Sequence, residues 1–207
     1  MGSVTVIDYG VGNIASIANM LKKTGHTAVV TDDHAEIRSA SRIILPGVGS
    51  FDHAAARLEA TGLREVLLER AAAGVPMLGV CLGMQLLLDS SDEGEFAGLG
   101  LIPGKSHRFP TVFEGERLRV PHMGWNAVER SPRHSQVLPS VQAGDRFYFV
   151  HSFYVRPDDD ADVLGTSQHG VTFASMIRRE NVIGVQFHPE KSHRYGMRLL
   201  ADFAEVV

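Results

Sequence analysis

The chain has 207 residues, 44% of them hydrophobic, and its 20 basic and 24 acidic side chains give a formal net charge of −4. That is enough for one well-filled core, so a single domain over residues 1–207 is expected. No Lys/Arg run or basic helical stripe suits nucleic acid, and no apolar stretch reaches the roughly 18–20 residues that cross a bilayer, so neither nucleic acid nor membrane is an expected partner.

From the N-terminus, Val4-Thr5-Val6-Ile7 is a short strand-like run that stops at Asp8, Gly10 and Gly12. Residues 14–21 set apolar side chains at helical spacing, with Gly25 as the stop. Residues 27–31 form a second strand, and Arg42-Ile43-Ile44-Leu45 a third, cut off by Pro46-Gly47. Helical pattern returns over 52–57 and 63–72. Val75-Pro76-Met77-Leu78-Gly79-Val80 then reads as a strand feeding into Cys81, with a helix over 82–88. Apolar strands alternating with helices predict an α/β fold with a mainly parallel central sheet. Its binding crevice lies beyond the carboxyl ends of the strands, where the Gly10/Gly12, Gly47/Gly49 and Cys81/Gly83 turns gather. From about residue 95 glycines break the chain, and short alternating segments follow near 107–109 and 125–128. Phe147-Tyr148-Phe149-Val150 is a compact strand, and residues 171–177 and 182–187 form a hairpin turned at 179–181. A stripe at Tyr195, Leu199, Leu200, Phe203 and Val206 predicts a closing helix. These later strands extend the same sheet in antiparallel fashion.

The only cysteine lies in Gly79-Val80-Cys81-Leu82-Gly83-Met84-Gln85, on a tight strand-to-helix turn. A nucleophile there needs small neighbours, because its backbone runs close to adjacent strands, and the glycines two before and two after supply them. Unpaired N–H groups at a helix start favour negative charge on the sulfur, and the Leu82 N–H is aimed where an oxyanion would form. A buried structural cysteine is the competing reading. A cysteine nucleophile also needs a base. Of ten histidines, His26 and His34 read as surface residues, and His107, His134, His169 and His193 as residues of loops or variable-looking stretches. His188 follows an apolar strand and precedes Pro189 and Glu190, so proline's fixed φ holds a carboxylate near the imidazole. Cys81, His188 and Glu190 would then serve as nucleophile, base and orienter, with a plain strand-end histidine as the alternative.

Two rival readings compete. Gly10-Val11-Gly12-Asn13-Ile14-Ala15, with Asp32 further on, matches a dinucleotide fingerprint. A glycine turn that lets strand and helix approach closely explains it equally, and a dinucleotide enzyme leaves the Cys81, His188 and Glu190 set without a role. Neither His-Glu-x-x-His nor Cys-x-x-Cys is present, so no metal or cofactor is expected. A single cysteine excludes a disulfide framework, and a working thiol fits a reducing, cytoplasmic location. A non-enzymatic interaction module is the remaining class.

Taken with Gln186-Phe187-His188-Pro189-Glu190, the cysteine motif resembles that of the class I, triad-type glutamine amidotransferases. Asp8-Tyr9-Gly10-Val11-Gly12-Asn13, Pro46-Gly47-Val48-Gly49-Ser50-Phe51 and Pro121-His122-Met123-Gly124-Trp125-Asn126 resemble one branch of that family. So do Tyr148-Phe149-Val150-His151-Ser152-Phe153 and Lys191-Ser192. The branch is the glutaminase subunit of imidazole glycerol phosphate synthase; a triad glutaminase of purine, pyridoxal phosphate or aminobenzoate synthesis is the alternative. The resemblance implies a flavodoxin-like fold in which Cys81 attacks the glutamine carboxamide, His188 protonates departing ammonia, and Glu190 orients His188. Water then hydrolyses a glutamyl thioester. It further implies oxyanion donors at Leu82 and around Val48 and Gly49, and glutamine contacts from Gln85 and Ser152. Ammonia would pass to a (β/α)8-barrel cyclase subunit, which forms imidazole glycerol phosphate and aminoimidazole carboxamide ribotide in histidine biosynthesis. Asn13, Trp125 and Asn126 resemble the segments that face this partner in a heterodimer, with a core role for Trp125 as the alternative.

Overall fold

In the computed structural model, which describes residues 3–131 and 136–205, the aliphatic runs of the first half become β1 (Val4–Ile7), β2 (Ala28–Thr31), β3 (Ile43–Leu45) and β4 (Met77–Val80). They alternate with α1 (Ile14–Lys23), α2 (His34–Arg38), α3 (Phe51–Ala60) and α4 (Leu63–Ala72), and α5 (Leu82–Leu86) follows β4 directly. Then come β5 (Ser90–Ser91), β6 (Gly104–Arg108), β7 (Val112–Phe113), β8 (Glu116–Arg117), β9 (His122–Arg130) and β10 (Asp145–His151). The chain ends through β11 (Phe153–Pro157), β12 (Val163–His169), β13 (Val171–Arg179), β14 (Val182–Val185) and α6 (His193–Glu205). His134 and Val206 lie outside the described residues.

Strands β2-β1-β3-β4-β14 lie side by side and run parallel. From β14 the same sheet continues antiparallel through β13, β12, β9 and β10, while β11 bridges β13 to β6. Side chains alternate across the central strands. Ile43, Leu45 and Met77 enter one buried cluster, whereas Ile44, Leu78 and Val80 enter the cluster on the opposite face. Burial on both faces is why these strands read as unbroken apolar runs. No helix among the described residues is long and apolar enough to cross a membrane.

The structure departs from expectation in a few places. The segment near 107–109 begins in the longer strand β6, which ends at Arg108, and 125–128 lies within β9; the polar faces of both strands hid their extent. Helix α2 has too few residues for a periodic signal; the Asp33 side chain starts it by accepting the Glu36 N–H at 2.9 Å. His26, expected at the surface, is buried. The chain turns back at the end of α1, with the His26 N–H donated to Leu21 O at 3.0 Å. The ring is thereby set between Thr24 Oγ1 at 3.0 Å and Glu205 Oε1 at 3.1 Å, tying α1 to α6. His107 and His169 lie in strands, and His193 opens α6, so none of the three is a loop residue.

Candidate active site

Cys81 follows β4 at φ 55° and ψ −109°, a conformation costly for any residue with a Cβ. Its own N–H stays in the sheet, donated to Val185 O at 2.8 Å, while the chain turns away into α5. Glycine is required on either side. A Cβ on Gly83 would stand 2.0 Å from Leu45 O, and one on Gly79 would stand 2.6 Å from Gly83 O. The elbow is pressed against β3 and against itself.

The candidate base follows the neighbouring strand, β14. Register pairs Val80 with Val185, so one residue on, Cys81 lies beside Gln186, whose Nε2 is 3.8 Å from Sγ. Two residues further, His188 Nδ1 is 2.8 Å from Glu190 Oε1, with both side chains buried. Asn13 Nδ2 donates to the same carboxylate oxygen at 3.4 Å. The His188 backbone is clamped as well. Its N–H is donated to Tyr148 O at 2.9 Å, and its carbonyl accepts Ser192 Oγ at 2.6 Å. Ser192 Oγ in turn accepts the Tyr148 N–H at 3.0 Å. Burial works against the imidazolium, but hydrogen bonds and charge from Cys81 and Glu190 outweigh it and raise the His188 pKa to about 10. At neutral pH His188 therefore holds a proton beside the sulfur.

Cys81 and His188 open onto a pocket of about 400 Å³. It is lined by Leu82 and Gln85 of α5, by a Val48–Gly49 rim and by a wall at residues 150–153, together with Glu93, Pro121 and Lys191. As the first residue of α5, Leu82 has an N–H with no acceptor one turn back. Gly49 has φ +94° and open space around it. The root of that rim is fixed: Tyr9 Oη donates to Pro46 O at 2.7 Å, and a Cβ on Gly47 would lie 2.6 Å from Gly83 N. Burial and the neighbouring Cys81 push the Tyr9 phenol well above its ordinary range, so it remains a donor. Gln85 Nε2 donates to Phe153 O at 3.2 Å and to Gln186 Oε1 at 3.4 Å.

The structure thus gathers Cys81, Leu82, Val48, Gly49, Gln85, Ser152 and His188 on one pocket, with Glu190 and Asn13 behind the imidazole. The Gly10/Gly12 turn is a close-approach turn: a Cβ on Gly12 would lie 2.9 Å from Pro46 Cβ. Trp125 and Asn126 stand apart on β9. The indole is 38% exposed and stacks on His193 with ring centroids 5.6 Å apart. The Asn126 amide donates to Gln168 O on β12 at 2.9 Å. Sequence reasoning missed Glu93, which sits in the polar run Ser91-Asp92-Glu93-Gly94 with no spacing signal, and gave Tyr9 no role of its own beyond its place in the Asp8–Asn13 run. Among the described residues no group of three or more His, Cys, Asp and Glu side chains is placed to hold a metal ion.

The family described as glutamine amidotransferase class-I matches residues 5–206. The imidazole glycerol phosphate synthase subunit HisH of Moorella thermoacetica is 47% identical, over 100% of this chain and 96% of that protein. The subunit HisH 2 of Pseudomonas aeruginosa is 46% identical, over 99% and 100% of the respective chains. In fold, the chain is similar to a solved glutamine amidotransferase with TM-score 0.72 at 19% identity, covering 96% of this chain and 99% of that one. It is also similar to the structure of PurLQS from Thermotoga maritima, with TM-score 0.71 at 18% identity, covering 98% and 97%. With the match spanning nearly every residue and the HisH subunits aligned end to end, this chain belongs to the class-I glutamine amidotransferase family, in its HisH branch.

Proposed function

We propose that Cys81, His188 and Glu190 hydrolyse L-glutamine to glutamate and ammonia, and that the ammonia passes directly to a cyclase subunit that builds imidazole glycerol phosphate. The observation that carries this reading is a strained cysteine, open to the pocket, adjoining a buried His–Glu pair held at 2.8 Å. Cys81 Sγ attacks the carboxamide carbon, and the C–O electron pair moves to oxygen, facing the Leu82 N–H and a donor from the Val48–Gly49 rim. As the tetrahedral centre collapses, the C–N bond breaks and His188 gives its proton to the departing nitrogen. A glutamyl thioester is left. Water, deprotonated by His188, then adds to the thioester and releases glutamate and the free thiol. Glu190 fixes the ring and compensates its charge throughout. Gln85 and the Ser152 turn hold the substrate, and Glu93 offers a counter-charge to its ammonium.

Free ammonia is mostly ammonium at neutral pH and no longer a nucleophile, so delivery without release into water preserves its reactivity. The exposed Met123 and Trp125 on β9, with Asn13 beside the triad, suit a partner docked over this edge of the sheet. A partner swap tests the assignment. Glutamine-dependent formation of imidazole glycerol phosphate should appear only when the barrel cyclase is added. Strong stimulation by the synthase of another amidotransferase, with none by the cyclase, would overturn it.

A further inference from the structure

Three histidines are left without a role by the chemistry above: His151, which is part of the 150–153 wall and lines the pocket, and His122 and His169, which do not line it. His122 and His151 are buried. Their bonds can be read with direction, because both ends of the row are fixed. Asn126 Oδ1 accepts the Ala127 N–H at 2.8 Å and Asn126 Nδ2 donates to Gln168 O at 2.9 Å, so the amide has one orientation. Its Nδ2 therefore also donates to His122 Nε2, 3.1 Å away. A nitrogen that accepts carries no proton, so neutral His122 is protonated on Nδ1 and donates to His151 Nε2 at 2.9 Å. His151 is then protonated on Nδ1 and donates to Phe153 O at 2.8 Å. That carbonyl is the one that also receives Gln85 Nε2, at 3.2 Å.

We infer that His122 and His151 are positioning residues for glutamine: a one-way row of hydrogen bonds from Asn126 holds the Phe153 carbonyl, and with it the Ser152 turn and the Gln85 amide, in the arrangement that binds substrate. The inference rests on reading the Cys81 pocket as the glutamine site. Burial, reinforced by His169, holds His122 down at about 4, and burial outweighs the Phe153 hydrogen bond to hold His151 at about 3. Both rings are neutral at working pH, as the row requires. His169 stacks on His122 at 4.4 Å, with its own Nε2 on Arg119 O at 2.7 Å, and so backs the row without joining it.

A carbonyl can only accept, so the row works in one direction. Asn126→Asp places an acceptor where the Nδ2 donor stood and pulls the proton of His122 onto Nε2. The Nδ1 of His122 then accepts from His151 Nε2, and the bare His151 Nδ1 is left facing the Phe153 oxygen. Asn126 does not line the pocket, and Asp has the same shape; Asp also gives up the bond to Gln168 O, so the double variant with His122→Phe, where the link is already cut, reads whether the effect on glutamine runs through the two imidazoles.

Glutaminase kinetics of the chain with its cyclase partner test this. Asn126→Asp should raise the KM for glutamine about ten-fold, the loss of one well-placed hydrogen bond, with kcat changed by less than about two-fold. His122→Phe should do the same, and Asn126→Asp added to it should have no further effect, because the link is already cut. His122→Asn, whose amide nitrogen stands near the position of Nδ1, should recover most of the KM; it also replaces His122→Phe in the cycle if the latter does not fold. An unchanged KM in folded Asn126→Asp, or effects that multiply in the double variant, would overturn the inference. A wild-type chain inactive on glutamine with the cyclase would instead remove the reading of the pocket beneath it.

Discussion

The two halves of the site, the cysteine elbow on one side and the His188 base with the 150–153 turn on the other, are held in different ways. Around Cys81 position is enforced by backbone crowding: Gly79, Gly83 and Gly47 sit where any Cβ would strike a neighbouring main chain. Around His188 and the 150–153 wall, position is enforced by side-chain hydrogen bonds from Ser192, Glu190, His122 and His151. Crowding is intolerant of added atoms and indifferent to pH. Hydrogen-bonded scaffolding tolerates changes of shape but depends on where each proton is. In the proposed mechanism, a nucleophile whose job is to be in one place suits the first kind of support, and a base that must gain and lose protons suits the second.

The largest effects should come from the reacting groups, where the halves must act together. Cys81→Ala and His188→Ala should each lower glutamine-dependent synthesis by about 10⁴-fold or more, since members of one catalytic unit fail together. The complex should still use supplied ammonium chloride at its normal rate. Residual glutamine turnover near wild type in either variant would mean that the two residues are not one unit. Gly83→Ala tests crowding alone: one methyl facing Leu45 O should cost about 3 kcal/mol of stability or displace the elbow, read by denaturant unfolding and by thioester formation. Glu190→Gln tests the opposite half. It preserves shape but removes the charge, so stability should change little while kcat falls about 10²- to 10³-fold, because the His188 proton is less firmly held.

This division also explains what could be read in the sequence. Crowding leaves a chemical trace, because only glycine fits, and the spacing of Gly79-Val80-Cys81-Leu82-Gly83 marks the turn by itself. The strands buried on both faces are legible for a similar reason: they must be apolar throughout. Hydrogen-bonded support leaves a weaker trace. Ser192, His122 and His151 are ordinary polar residues, each of which joins a nearby partner to one 44, 29 and 29 positions away, and the distant half of each link leaves no local spacing to mark it. His26 misled for the same reason, its partner Glu205 being 179 positions distant. Tyr9 and Glu93 reach the site through a turn and a loop, whose paths no periodicity encodes.

The proton-dependent half should fail first in acid. His122 and His151 have pKa values held at about 4 and about 3, against an ordinary value of 6.5. The unfolded chain therefore binds protons below pH 6.5 that the folded chain refuses. Stability from this pair is fully present above pH 6.5 and is lost as pH falls toward 4 and then 3, at about 1.4 kcal/mol per pH unit for each ring. Unfolding midpoints of wild type and His122→Phe across roughly pH 7 to 4 should show a shallower acid slope in the variant. Parallel slopes would place acid sensitivity elsewhere.

The smallest effect is expected at the seam between the two kinds of support. Tyr9 belongs to the crowded half, yet it acts by a hydrogen bond, donating to Pro46 O at 2.7 Å at the root of the Val48–Gly49 rim. Tyr9→Phe keeps the packing and removes only the hydroxyl, leaving one buried carbonyl without that donor. The cost in stability should be about 1 kcal/mol. If Tyr9 merely fills the core, kcat and KM will both be unchanged once the protein is folded. If it fixes the rim that faces the developing oxyanion, KM should stay the same while kcat falls about three- to ten-fold, because the rim matters more to the tetrahedral centre than to bound glutamine. A rise in KM at constant kcat would instead assign the rim to substrate binding and move this part of the crowded half into the same category as the histidine row.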